Sequence, residues 1–273
     1  MVDPLEAAKL KAEQTYNAAA DSFDAEPLAF WSRCGRRTIE RLGLQPGQRI
    51  LDVCCGTGAS ALPAAQAVGP GGHVIAVDLA DELLKRGRAK ARAGGLGGVE
   101  FVRGDMTHTG FPDQHFDAVV CVFGIFFVPD MESQVAELWR MTARGGGLAI
   151  TTWGPRIFSP AYEIWREAIR RARPDLYTAF NPWDRITTPE AVRQLLRDGG
   201  AQDIEVVSED GQQPLRTPED FWTIAMGSGL RWVIDQMGPQ VALRVKQELL
   251  HRLATGAVER VETNVIYAIA RKR

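Results

Sequence analysis

The sequence predicts an α/β fold with a doubly wound, mostly parallel sheet, and two observations support this. Between residues 49 and 153, apolar strand-like segments alternate repeatedly with helical segments. The strand-like segments are nearly continuous apolar runs, a pattern typical of parallel strands covered by helices on both faces. Ligands of such sheets bind beyond the carboxyl ends of the strands, so the residues that follow each strand form the candidate site.

The elements follow from local signals. We expect a helix rich in Ala, Glu and Lys over residues 5–20 and a second helix over 28–42, which the "LQPG" stretch ends. The predicted strands are 49–53, 73–78, 99–105, 116–124 and 148–153, and the helices between them are 57–68, 81–93 and 131–141. Glycine-rich turns separate several of these elements, including "GPGG" at 69–72 and "ARGGG" at 143–147.

The character of the chain changes after residue 154. The predicted elements there are a helix at 160–172, a capped helix in "TTPEAVRQLLRDGGA", a sixth strand in "DIEVVSE", glycine-broken helices over 218–255 and a C-terminal strand in "ETNVIYAIARKR". We expect a single domain over 1–273. Its parts are an N-terminal helical lid (1–44), a ligand-binding core (45–154), and substrate-side helices with the last strands (155–273).

Composition excludes some classes of partner. The chain has 273 residues, of which 45% are hydrophobic and 24% charged, and its net charge is −2. These values are ordinary for a soluble globular protein and give no bulk attraction to nucleic acid or to an anionic membrane. The N-terminus is polar and lacks the apolar segment of a signal peptide, and no apolar run is long enough for a membrane span. We therefore expect a cytoplasmic protein with no nucleic-acid partner and no membrane insertion.

The four cysteines, Cys34, Cys54, Cys55 and Cys121, have no C-x-x-C spacing. A structural zinc site is therefore not expected, and no metal is assigned. We interpret these residues as reduced thiols in a cytosolic protein, with a thiol-based metalloid site as the alternative.

The segment "RILDVCCGTGASA" at 49–61 contains the most informative motif. Gly56, Gly58 and Ala61 satisfy the G-x-G-x-x-G/A dinucleotide pattern, and Asp78 follows Gly58 by 20 residues. Asp52, however, interrupts the apolar strand just before the turn. A carboxylate there would repel a pyrophosphate and would suit a ligand with an ammonium group.

Two further strands also end at acids. Asp78 ends the second strand, where a carboxylate can accept both ribose hydroxyls of NAD or of S-adenosylmethionine. The third strand ends in "GDM", so Asp105 can accept an adenine amino hydrogen while Met106 covers the ring. Three acids at successive strand ends fit an adenosine joined to an amino acid better than a dinucleotide.

Residues 45–153 resemble a class I S-adenosylmethionine-dependent methyltransferase. The resemblance lies in "LDVCCGTG", "AVDLADELLKRGRAKA", "VRGDMTHTGFPDQHFDAVVCVFGIFFVPD" and "RMTARGGGLAITTWG". It is strongest to the group of ubiquinone/menaquinone biosynthesis C-methyltransferases and their small-molecule relatives. It implies a Rossmann-like, seven-stranded sheet of order 3-2-1-4-5-7-6, with N-terminal helices, a C-terminal helical insertion and an antiparallel seventh strand in "NVIYAIA".

The resemblance also implies the cofactor, S-adenosyl-L-methionine, its product S-adenosyl-L-homocysteine, and a set of cofactor-binding residues. Asp52 and the Gly56–Gly58 backbone should hold the methionine part, Asp78 the ribose, and Asp105 the adenine. The full cofactor set is Tyr16, Asp52, Cys54, Gly56, Thr57, Gly58, Asp78, Leu79, Asp105, Met106, Val122 and Phe123.

Methyl transfer needs positioning and exclusion of water, and it needs a base only where the acceptor must lose a proton. No catalytic residue is assigned. His108 is the histidine nearest to a plausible site, but we favour an exposed loop position for it.

Aromatic residues after the fourth and fifth strands predict an apolar cavity for a hydrophobic or planar acceptor. The candidates are Phe127, Trp153, Tyr177, Trp183, Arg185 and Trp222. Arg185 can anchor an anionic tail, although a surface position is favoured for it, and the aromatic rings can equally hold a cationic amine.

The predicted function is methyl transfer to carbon, oxygen or nitrogen of a small, hydrophobic or aromatic metabolite. A quinone-type C-methyltransferase is a narrower alternative. A dinucleotide-dependent oxidoreductase and a catalytically silent S-adenosylmethionine-binding protein are alternatives from other classes. The sequence is compatible with a homodimer.

Overall fold

A seven-stranded sheet forms the centre of the computed structural model, which describes residues 3–273. The strands of the chain are β1 (Arg49–Val53), β2 (His73–Asp78), β3 (Val99–Arg103), β4 (Phe116–Val122), β5 (Thr142–Trp153), β6 (Ile204–Glu209), β7 (Gln212–Pro214), β8 (Arg260–Glu262) and β9 (Val265–Arg271). The large sheet has the order β3-β2-β1-β4-β5-β9-β6. The neighbours from β3 to β5 are parallel, and β9 runs antiparallel to both β5 and β6. The predicted fold class and strand order are confirmed.

Helices cover both faces of the sheet and the carboxyl ends of its strands. They are α1 (Pro4–Phe23), α2 (Phe30–Leu42), α3 (Ala61–Val68), α4 (Asp81–Ala93), α5 (Met131–Met141), α6 (Ala161–Ala172), α7 (Pro189–Asp198), α8 (Pro218–Met226), α9 (Arg231–Met237) and α10 (Pro239–Thr255). Among residues 3–273, none of these helices is long and apolar enough to cross a bilayer.

The central strand β1 shows why its sequence is an apolar run. Ile50, Leu51 and Val53 are all fully buried. Successive side chains of a strand point to opposite faces, and Ile50 accordingly packs in one hydrophobic cluster while Leu51 and Val53 pack in the other. Helices on both faces therefore require apolar residues at the buried positions of this strand, with two exceptions: Arg49, which is exposed at its start, and Asp52, the acid that precedes the glycine loop.

Some element boundaries differ from the predictions. The helix after β1 begins at Ala61 rather than at residue 57, because residues 57–60 form a turn in which Gly58 has a φ of +91°. The "ARGGG" stretch is not a simple turn but lies within β5, where the pairing with β4 is interrupted by a bulge. Gly145 adopts a φ of +77° there, a conformation that glycine permits at little steric cost.

Other differences are small and occur at strand ends. The third and fourth strands end at Arg103 and Val122, before Asp105 and Gly124, and a short 3-10 helix (Glu26–Leu28) precedes α2. The sequence did not predict the two-stranded ribbon of β7 and β8. Its strands are three residues each and lie far apart in the chain, so no local pattern marks them.

Candidate cofactor and substrate site

A cleft with about 950 Å³ of empty space lies beyond the carboxyl ends of β1 to β4, and α1 forms one of its walls. Nine of the twelve predicted cofactor-binding residues line it: Tyr16, Cys54, Gly56, Asp78, Leu79, Asp105, Met106, Val122 and Phe123. The structure thus brings together residues from α1 and from the ends of four strands. We call this space the cofactor cleft.

Asp78 holds the glycine loop that follows β1. Its Oδ2 atom accepts a hydrogen bond of 2.8 Å from the Gly56 N–H, and its Oδ1 atom accepts one of 2.9 Å from the Ala80 N–H. Burial raises the pKa of this carboxyl, although these backbone donors favour its ionised form. Gly56 has a φ of +55°, and a Cβ atom there would lie 3.4 Å from the Phe23 ring, so a glycine keeps this wall of the cleft open.

Asp52 lies behind the cleft rather than in its wall, and it is 1% exposed. The Ser60 hydroxyl, which does line the cleft, donates a hydrogen bond of 2.7 Å to Asp52 Oδ2. Asp52 Oδ1 has no hydrogen-bond partner among residues 3–273. Burial raises the pKa of this carboxyl to about 7, and the charge of Asp78 adds to the effect.

Thr57 and Gly58 also lie outside the wall of the cleft, and their environments indicate a packing role. The Thr57 hydroxyl donates to Asp24 at 2.7 Å and accepts a hydrogen bond of 2.8 Å from the Lys90 ammonium. A Cβ atom on Gly58 would lie 2.9 Å from both Leu62 and Phe101. Both residues hold the loop against its neighbours, and their direct cofactor contact stays a prediction.

Asp105 is tied to α1 by an ion pair that the sequence analysis missed. Lys9 Nζ lies 2.6 Å from Asp105 Oδ2, and the Thr107 N–H and hydroxyl also donate to this carboxylate. Partial burial opposes ionisation of Asp105, but the hydrogen bonds from Lys9 and Thr107 outweigh it and lower the pKa of the carboxyl. Helical spacing could have revealed Lys9, because it shares one face of α1 with Tyr16.

A second cavity, which we call the inner cavity, adjoins the cofactor cleft. Tyr16, Trp31, Phe123 and Phe127 line both spaces. The walls of the inner cavity are largely aromatic, with the Phe123 ring stacked on Trp153 at a centroid distance of 4.0 Å and the Tyr16 ring edge-on to Phe127 at 5.5 Å. Trp31 was not predicted, and its buried Nε1–H has no hydrogen-bond partner among the described residues.

A third, larger space with about 1430 Å³ of empty volume lies further out, and we call it the outer cavity. It shares seven lining residues with the inner cavity: Tyr16, Phe126, Phe127, Tyr162, Trp183, Gly229 and Leu230. Tyr16 and Phe127 line all three spaces. The three spaces therefore adjoin one another in a row from the cofactor cleft to the helices that follow β5.

The chain is similar to known proteins in sequence and in fold. Residues 50–146 match the family model described as a methyltransferase domain. Residues 50–146 therefore form a class I S-adenosylmethionine-dependent methyltransferase domain. A demethylmenaquinone methyltransferase of Geobacillus kaustophilus is 40% identical over 121 residues, which are 44% of this chain and 52% of that protein. The chain thus spans about half the length of the demethylmenaquinone methyltransferases that it matches.

Two further proteins match over a longer part of this chain. A nocamycin O-methyltransferase of Saccharothrix syringae is 28% identical over 254 residues, which are 89% of this chain and 90% of that protein. The solved structure of phosphoethanolamine N-methyltransferase 2 from Haemonchus contortus, in complex with S-adenosylhomocysteine, superposes with a TM-score of 0.59 at 17% identity and covers 97% of this chain and 60% of that chain. The latter likeness is one of fold.

The remaining predicted site residues divide into two groups. Phe127, Trp153, Tyr177 and Trp183 line the inner or outer cavity. Three other residues lie elsewhere: Arg185 pairs with Glu132 at 2.7 Å, Trp222 packs against Trp165, and His108 is exposed beside Thr107. No histidine lines any of the three cavities within residues 3–273.

Proposed function

We propose that this chain transfers a methyl group from S-adenosylmethionine to a small, hydrophobic or aromatic acceptor. The observation that carries the proposal is that an acid-lined cleft adjoins an aromatic cavity, with Tyr16 and Phe127 lining both. Polar groups suited to an amino-acid nucleoside thus lie next to apolar walls suited to its methyl acceptor.

The residues of the cleft fit the cofactor on three grounds. Asp78 presents a buried carboxylate at the end of β2, in the position expected to accept ribose hydroxyls. Asp52 Oδ1 is a buried acceptor without a partner among the described residues. It belongs to the strand that leads into the glycine loop, where a Cβ atom at Gly56 would occupy part of the cleft next to Phe23. Met106 and Leu79 provide apolar cover next to Asp105 for the adenine.

The chain's own contribution to the reaction is then positioning. When bound, S-adenosylmethionine supplies a methyl group activated by its sulfonium. Phe123 lines both the cleft and the inner cavity, and Val122 lines the cleft beside it. Tyr16, Trp31 and Phe127 also line both spaces and would exclude water from this region. We propose that residues 1–44 act as the lid, since α1 supplies Lys9 and Tyr16 to the cleft. Residues 45–154 are the cofactor core, and residues 155–273 form the substrate side.

We favour oxygen over carbon as the methylated atom. The nocamycin O-methyltransferase matches 89% of the chain. The demethylmenaquinone methyltransferases, which support the quinone-type C-methyltransferase reading, match 44% of the chain. The match to the nocamycin O-methyltransferase must therefore extend into residues 155–273, the proposed substrate side. The match to the demethylmenaquinone methyltransferase covers less than half of the chain.

We also propose a cytoplasmic location, because all four cysteines are free thiols. The homodimer and the lack of a nucleic-acid partner stay predictions.

The decisive experiment is calorimetric titration of the purified protein with S-adenosylmethionine, S-adenosylhomocysteine and NADH side by side. We expect micromolar binding of the first two compounds and no heat from the third. Binding of NADH alone would instead revive the oxidoreductase alternative. Binding of S-adenosylmethionine without turnover of any acceptor would favour the catalytically silent alternative, so candidate aromatic acceptors should be assayed by formation of S-adenosylhomocysteine.

A further inference from the structure

We propose that the outer cavity is a binding subsite for an organic anion, and that the acceptor is therefore an aromatic or planar acid. The term acceptor rests on the proposed function, whereas the anion subsite stands on the residues of the cavity alone. The sequence analysis considered Arg185 for an anionic tail, but that residue pairs with Glu132 on the surface. A different arginine, Arg166 of α6, lies in the cavity wall.

Arg166 presents a guanidinium that no described carboxylate neutralises. Its Nη2 atom donates to the Tyr177 hydroxyl at 2.9 Å and to two loop carbonyls, of Thr178 and Ala179. Its Nε–H is buried and has no partner. The guanidinium lies 5.2 Å from the Tyr177 ring centroid and 5.8 Å from that of Tyr162, so two rings flank it. A buried donor of this kind costs free energy until an acceptor meets it.

The other polar groups of the cavity also favour an electron-rich ligand. The Trp183 indole Nε1–H is buried without a partner, and an indole N–H can only donate. Lys11, on the α1 side of the cavity, lies 5.3 Å from the Trp232 ring centroid, and partial desolvation lowers the pKa of its ammonium. Arg166, Trp183 and Lys11 are all hydrogen-bond donors, and two of them are positively charged. A ligand that carries oxygen acceptors and negative charge would satisfy them.

Negative charge in the same space is already neutralised. Asp175 is the only acidic side chain among the described residues that line the inner and outer cavities. Its carboxylate is bound by the Arg173 guanidinium, with contacts of 2.6 and 2.8 Å. A cationic acceptor would therefore meet Arg166 and Lys11 without a free carboxylate to balance its charge.

The residues that line the inner cavity also determine whether a base is available to remove a proton from the acceptor. The inner cavity, next to the cofactor cleft, contains no histidine or carboxylate, and its titratable groups are the hydroxyls of Tyr16 and Tyr162. Burial raises the pKa of both tyrosines, so neither is a ready base. An acceptor whose reacting oxygen is already deprotonated, for example an acidic enolate carried in addition to the anionic group that Arg166 holds, has no proton to lose there and needs no base.

The test uses the full chain saturated with S-adenosylhomocysteine and two probes of the same shape. One probe, 2-naphthoate, is an anion, and the other, 2-naphthamide, is uncharged. Binding is measured by quenching of tryptophan fluorescence and by calorimetry. We expect 2-naphthoate to bind at least tenfold more tightly than 2-naphthamide. Arg166→Gln should abolish that preference while leaving the affinity for 2-naphthamide unchanged, which shows that the cavity is still formed.

The matched control is Arg170→Gln, because Arg170 lies exposed on the same helix and outside the cavities. It should retain the full preference. Arg166→Lys should retain part of it, because lysine keeps the charge but not the forked donors. Equal affinity of the unmodified protein for both probes, absence of 2-naphthoate binding, or an unchanged preference in Arg166→Gln would overturn the proposal.

The two proposals fail separately. If S-adenosylhomocysteine does not bind, the proposed function is wrong, and the two probes can still be compared on the protein by itself. If S-adenosylhomocysteine binds but 2-naphthoate is not preferred, the anion subsite is wrong and the methyltransferase proposal is unaffected.

Discussion

The ammonium of Lys9 lies 2.6 Å from the carboxylate of Asp105, so one ion pair joins α1 to the loop that follows β3. Both side chains are largely buried, with 13% of Lys9 and 24% of Asp105 exposed. The carboxylate expected to receive the adenine therefore also holds α1, which is part of the proposed lid. Cofactor binding and lid position should consequently be linked.

We expect a double-mutant cycle of Lys9→Met and Asp105→Asn to give a coupling energy of about 1 kcal/mol in unfolding by urea, a typical value for a partly exposed pair. Hydrogen bonds lower the pKa of Asp105 in the folded protein, so this stabilisation should be present at neutral pH and lost as the pH falls below the ordinary aspartate range. The control is Glu6→Gln, which removes the more exposed partner of Lys9. A coupling energy near zero would mean that the ion pair does not stabilise the packing of α1 against the loop that follows β3.

Asp78→Asn should weaken binding of S-adenosylhomocysteine by about 1–3 kcal/mol, because ribose hydroxyls lose an ionised acceptor and the Gly56 N–H loses its charged partner. Calorimetric titration measures the change directly. Asp81→Asn is a suitable control, since Asp81 begins α4 and does not line the cofactor cleft. If both variants bind like the unmodified protein, the ribose assignment of Asp78 is incorrect.

Asp52 should make folding stability depend on pH. Burial raises its pKa from 3.8 to about 7, so the folded protein binds a proton that the unfolded chain has lost between these values. The contribution of this group to stability therefore falls as the pH rises from about 4 to 7 and is constant above that. Asp52→Asn should match the unmodified protein near pH 4 and exceed it by about 4 kcal/mol above pH 7, as measured by urea unfolding, because a pKa rise of roughly three units corresponds to about 1.4 kcal/mol per unit.

The same carboxyl should make cofactor affinity depend on pH with the opposite sign. A bound ammonium favours the ionised form of Asp52, so the affinity for S-adenosylhomocysteine should rise between pH 5 and 7 with release of a proton. Titrations in buffers of different ionisation enthalpy measure that proton. Asp52→Asn should show a flat profile over this range, and a flat profile in the unmodified protein would place the ammonium elsewhere.

Gly35→Ala should destabilise the fold by about 1–3 kcal/mol and weaken cofactor binding. A Cβ atom at Gly35 would lie 2.3 Å from the Ala59 carbonyl oxygen and 2.8 Å from the Ser60 nitrogen, so α2 would have to move away from the glycine loop. Gly97→Ala is the control, because a Cβ atom there meets nothing within 4 Å. Equal unfolding curves for the two variants would show that the loop accommodates the methyl group.

Most of the fold could be predicted because the central parallel strands β1, β4 and β5 are buried on both faces over most of their length. A strand such as β1 must then be apolar along nearly its whole length, and such a run is visible without any knowledge of its neighbours. The weakest predictions concerned bulges and short pairings. The extension of β5 and the ribbon of β7 with β8 depend on partners distant in the chain, so local sequence carried no signal for them.

The sequence by itself determined the strand order through its resemblance, the acids at the ends of β1, β2 and the β3 loop, and the aromatic character of the substrate side. These features depend on residues close together in the chain. Tertiary structure alone decided that Asp52 lies behind Ser60, that Lys9 reaches Asp105, and that Arg166 rather than Arg185 faces the outer cavity. Each of these outcomes depends on how helices pack over the strand ends, because burial and partner distance, rather than residue type, determine what a charged group can bind.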